Sequence, residues 1–124
     1  MKKRTTPLVL VVDPDSEELG ELYALLDRQG YLVATRREGV EALKYVARSQ
    51  PDLVIFRFST DGRDGARLDE AMYQICPMTR VMLLRRAGST LETPFGRERL
   101  LAAVKGVLSQ PQQERMVFEP AVTP

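Results

Sequence analysis

The sequence predicts an α/β domain of three layers, a parallel sheet covered by helices on both faces. Three observations predict it. Short apolar runs alternate with segments of helical periodicity from Leu8 to about Leu108. Two of the runs, Leu8 to Val12 and Leu53 to Phe58, are apolar at nearly every position, the mark of strands buried on both faces. Turn formers punctuate the alternation at Asp13-Pro14, Gly30, Gly39, Pro51-Asp52 and Pro77.

Taken in order, Leu8 to Val12 is the first strand. Asp15 or Ser16 can cap the helix that follows, with Glu17 and Glu18 in its first turn, where the helix dipole favours negative charge. Leu19, Leu22, Tyr23 and Leu26 recur at helical spacing until Gly30 stops the helix. Tyr31 to Thr35 reads as the second strand. A helix from about Val40 to Arg48 turns Leu43, Val46 and Ala47 inward. Leu53 to Phe58 is the third strand, and after a loop rich in Gly and Asp, Leu68, Ala71, Met72 and Ile75 mark a third helix that Cys76-Pro77 ends. Val81 to Leu84 is a fourth strand. The last helix, Arg97 to about Ser109, buries Leu100, Leu101, Val104, Val107 and Leu108 on the face opposite the expected gap described below.

Composition narrows the function. A chain of 124 residues with 44% apolar and 28% charged residues is one globular domain, too short for two cores. Its 18 basic and 17 acidic residues leave +1, too little field to favour nucleic acid or an anionic membrane, so any anion site must be local. Without histidine, Ser-His-Asp triads, Cys-His pairs and the usual zinc sites are excluded, and no metal or cofactor is expected. The lone cysteine, Cys76, forms no internal disulfide and fits a reducing compartment; it reads as a small packing residue, and Met72, Met78 and Met82 as core filling. The apolar run after Met1-Lys2-Lys3-Arg4 is too short for a signal peptide, and a cytoplasmic location is expected.

The chemistry is carried by Pro51 to Gly65. Pro51-Asp52-Leu53-Val54, two apolar residues, position 57, and then Asp64-Gly65 seven positions on resemble the third strand and following loop of response-regulator receiver domains. Gly30-Tyr31 before the second strand, Gly39 to Leu43, and Pro94-Phe95 before the last helix extend the resemblance from Leu8 to about Leu108. It implies a flavodoxin-like fold with five parallel strands in the order 2-1-3-4-5 and a site at the C-terminal strand ends. It divides the chain into a receiver-like domain, 1–109, and an extended or disordered tail, 110–124.

This sequence departs from the family at nearly every chemical position. The family's phosphate-accepting aspartate is replaced by Arg57; of its two adjacent acids, Asp13 matches the first, Pro14 takes the second place, and Asp15 lies one step on. Its Ser or Thr aligns with Arg85, its Lys with Thr93. An arginine about 4 Å from Mg²⁺ would be repelled by roughly 8 kcal/mol at an effective dielectric of 20. A guanidinium is also no nucleophile. Two readings of Arg57 stand side by side. It can pair with Asp13 or Asp15 and close the vacated pocket, or it can join Arg36, Arg37, Arg85 and Arg86 in an anion site at the strand ends.

The second departure is a deletion. Seven residues separate Arg85 from Thr93, whereas a parallel crossover needs about a dozen or more. Either the family's fourth helix is absent and a loop reaches a short fifth strand at Leu91 to Thr93, or the last strand pairs differently; the first is favoured. The resemblance also implies a cis Thr93-Pro94 bond. Loss of that helix should uncover apolar surface near Leu84 and Leu91. In the tail, the island Met116-Val117-Phe118 lies in a segment that reads as a disordered end, or as a docking segment for that surface in its own chain or a neighbour.

No general base or activated nucleophile can be named, so an enzyme is not expected. The leading expectation is a phosphorylation-independent signalling or scaffolding module of bacterial type that binds a protein partner, a second copy included. A sensor of small anions or nucleotides using the arginine rim is the alternative.

Overall fold

Strand β1 (Leu8–Val12) is buried at all five positions, as its unbroken apolar run requires, and it lies in the interior of the sheet. The computed structural model describes residues 5–58, 63–85, 94–110 and 117–118. After β1 come α1 (Ser16–Arg28), β2 (Leu32–Arg36), α2 (Gly39–Ser49), β3 (Leu53–Phe58), α3 (Arg63–Ile75), β4 (Arg80–Arg85), α4 (Pro94–Leu108) and a two-residue strand, β5 (Val117–Phe118). The order is β2-β1-β3-β4-β5 and every neighbouring pair is parallel.

Alternation along the strands sorts the core into two halves. Val9, Val11, Leu53, Ile55, Met82 and Leu84 point to one face, where Leu19, Leu22 and Leu26 of α1 and Leu100, Val104 and Val107 of α4 cover them. Leu10, Val12, Val54, Phe56 and Val81 point to the other, against Ala42 and Val46 of α2 and Leu68 and Met72 of α3. The Pro51-Asp52 pair has a structural task at the base of this sheet. Asp52 Oδ2 accepts from the Leu8 amide at 2.8 Å, and the Asp52 amide donates back to Leu8 O at 2.8 Å. These two bonds lock β1 to β3 in a register where a one-residue slip would exchange the side chains that pack on the two faces of the sheet.

Local signals account for the helix ends. Asp15 is the N-cap of α1, its Oδ1 accepting from the amides of Glu17 and Glu18 at 2.9 and 3.1 Å. Gly30, at φ +90°, takes the left-handed conformation just past the end of α1. Gln50 does the same for α2, at φ 47°.

Several sequence expectations are corrected. Among the described residues the full strands number four, in the order β2-β1-β3-β4. Among the described residues only Val117 and Phe118, from the tail, continue the sheet, opposite Val81 and Met82. The expected strand at 91–93 and the Thr93-Pro94 bond lie outside the described residues. Nor is the helical layer short of a member: four helices are present among the described residues, two on each face. Leu84 is not uncovered, because strand alternation turns it to the face that α4 closes. Tyr23, Ala47, Ile75 and Met78 are exposed instead of packed, and Ala42 takes the inward place given to Ala47. Asp64 and Gly65 belong to the first turn of α3 rather than to the loop before it. Among the described residues no helix is long and apolar enough to cross a membrane.

Candidate functional site

The C-terminal ends of β1 and β3 bring Asp13 and Arg57 together. Arg57 lies on the same side of β3 as Ile55 and therefore faces α1. Its side chain is 3% exposed and that of Asp13 fully buried. Arg57 Nε lies 3.5 Å from Asp13 Oδ2, and Arg57 Nη2 lies 3.7 Å from Glu18 Oε2. The other carboxylate oxygen, Asp13 Oδ1, accepts from the Asp15 amide at 2.9 Å. The Asp13 amide itself donates to Arg36 O at 3.1 Å, joining β1 to β2. One buried cation is thus held between a strand-end acid and a helix acid.

Glu18 is the residue that sequence reading missed in this role. It was legible as a first-turn acid, and the spacing Asp15-x-x-Glu18 matches a helix-capping pattern in which the acid three residues on turns back toward the cap. In the structure its carboxylate faces Arg57 at the end of β3 instead, while the Asp15 amide donates to Asp13. Asp15, the other acid offered to Arg57, serves as the helix cap, while Pro14 is exposed and offers no side-chain ligand.

Two other rim arginines, Arg36 and Arg37, have separate partners. Arg36 Nη1 donates to Thr35 O at 2.6 Å, and its guanidinium carbon sits 4.7 Å from the centre of the Tyr45 ring. Arg37 donates through Nε and Nη2 to Pro14 O at 3.2 and 3.0 Å. They line an open groove of about 580 Å³ with Pro14, Leu19, Thr35, Glu38 and Glu41, in which two glutamates stand against two arginines. The side chain of Arg85, at the end of β4, and all of Arg86, Leu91, Thr93 and Met116 lie outside the described residues. So do Asp61 and the side chain of Asp64.

A receiver fold implies Mg²⁺ beside the strand-end acids, and the residues present do not fit it. A divalent ion next to Asp13 would meet the guanidinium that already occupies the carboxylate's open side. Among the described residues no group of three or more Asp, Glu, Cys or His side chains could hold a metal ion.

The fold is that of response-regulator receiver domains. Over 85% of the chain it superposes on 99% of a response regulator from Thermotoga maritima with a TM-score of 0.71 at 24% identity. The receiver domain of a CheY-like protein from Methanospirillum hungatei matches with a TM-score of 0.71 at 19% identity, covering 84% of this chain and 94% of that one. In sequence, the chain is similar to the transcriptional regulatory protein PrrA of Mycobacterium tuberculosis, 37% identical over 68 residues. That match covers 55% of this chain and 29% of PrrA, so the likeness spans less than a third of the relative's length. No family model matches the chain.

Proposed function

We propose that this chain is a receiver-fold module that accepts no phosphate and acts by binding a protein partner in a cytoplasmic signalling or scaffolding system. The observation that carries the reading is the seat of Arg57. A buried cation stands on β3 where the receivers it resembles carry an acid, and Asp13 and Glu18 are turned toward it. A pocket closed by an ion pair loses the acidic character that would gather Mg²⁺ and phosphate. With the switch chemistry gone, the surfaces of the fold remain available for recognition.

The test is incubation of the chain with Mg²⁺ and acetyl phosphate, followed by intact-mass measurement. No gain of a phosphoryl group is expected; an acid-stable, hydroxylamine-labile adduct overturns the reading. An affinity pull-down without added ligand should retain a protein partner. The anion-sensing alternative finds less support, because Arg36 and Arg37 already donate to main-chain carbonyls and Glu38 and Glu41 share their groove. A phosphate or nucleotide that raised the melting temperature would reverse that preference.

A further inference from the structure

The connection from β4 through α4 to β5 has the wrong hand. Steps β2 to β3 and β3 to β4 move in one direction across the sheet with α2 and α3 on one face, and β1 to β2 moves the opposite way with α1 on the other. All three are crossovers of the same hand, the right-handed one that about 98% of such units adopt. The step from β4 to β5 continues in the direction of β3 to β4, yet its helix, α4, lies on the α1 face. Within one chain this makes a left-handed crossover. No such constraint applies to a strand that arrives from another molecule.

From this we infer that the outer edge of β4 is a strand-exchange site whose partner is a second copy of this chain, each copy placing Val117 and Phe118 against Val81 and Met82 of the other. The pairing is the one already present, Val81 opposite Val117 and Met82 opposite Phe118, so exchange leaves every ladder contact intact while removing the unfavourable hand. It is also short. Two residues of the six in β4 are engaged, so little is lost when the segment leaves its own sheet. Arg80 fixes where the exchangeable piece begins: its Nη2 bonds Gln110 O beside the start of β4, and α4 stays packed on its own sheet. A net charge of +1 puts little repulsion between the two copies.

The experiment uses the full chain. Light scattering across a wide concentration range should show a monomer passing to a dimer. Val117→Pro, which puts a residue unsuited to strand pairing into the two-residue ladder, should weaken association by about tenfold or more without altering the far-ultraviolet dichroism. In a Cys76→Ser background, Val81→Cys with Val117→Cys places two thiols at facing positions. Oxidation should then give a covalently linked dimer on a non-reducing denaturing gel. Should that variant fail to fold, interchain contacts between Phe118 and Met82 in a mixed ¹³C-labelled and unlabelled wild-type sample report the same geometry. A wild-type monomer at every concentration, a bridge closed within one chain, or a dimer indifferent to Val117→Pro each overturns the inference.

Discussion

Arg57 is buried between fully buried Asp13 and partly exposed Glu18, and its removal takes away the cation that closes the strand ends. Replacing a buried ion pair by apolar groups is often harmless, whereas deleting one partner costs about 3–5 kcal/mol. Arg57→Met is therefore expected to destabilise the chain by about that amount in urea denaturation, since it takes away the cation 3.5 Å from Oδ2 of the fully buried Asp13. Arg57→Asp reverses the electrostatics, placing a third acid beside Asp13 and Glu18. Its melting temperature should rise on addition of Mg²⁺, while that of the wild type should not move; a wild-type response equal to the variant's would refute the role given to Arg57. That Arg57 would meet Asp13 was legible from two strand ends in one register. The part played by Glu18 was not, because it depends on how far a helix turns before an acid faces back across the sheet.

At the level of the elements, the sequence spoke most clearly where periodicity and punctuation agreed. Asp15 was readable as a cap, and Asp15→Ala should cost about 1 kcal/mol, measurable as a shift in the denaturation midpoint without a change in slope. The apolar runs of β1 and β3 located the interior strands. Helix faces were read less well: Ala47 and Tyr23 fit a helical stripe as letters, but the burial of Ala42 and exposure of Tyr23 follow from the angle at which each helix meets the sheet. The covering of Leu84 was missed for a related reason. Counting the residues after β4 suggested a bare surface, but strand alternation turns Leu84 to the face that the last helix covers.

For the whole molecule, topology followed from the alternation of strands and helices, and the place of the tail did not. A two-residue strand that lies far along the chain from its partner carries no local signal beyond the apolar island that contains it. Arg80 is the junction that makes the arrangement possible, buried and donating to Asp52 O at 3.5 Å and to Gln110 O, so that the starts of β3 and β4 and the end of α4 meet at one side chain. Arg80→Met should cost about 1–3 kcal/mol by leaving those carbonyls without their donor. Hydrogen exchange should then quicken at Ser109 and Gln110, the last amides bonded back into α4. Unchanged exchange there would show that Arg80 does not hold the helix end.

The position of β1 carries a consequence for biosynthesis. It precedes both of its neighbours, β2 and β3, in the chain, so both are made after it. Until Leu53 to Phe58 have been translated, five successive valines and leucines have no complete sheet to enter. The nascent chain therefore carries this apolar segment unpaired until β3 is made, and the protein's yield in a cell should depend on chaperones that shelter it before the sheet can close.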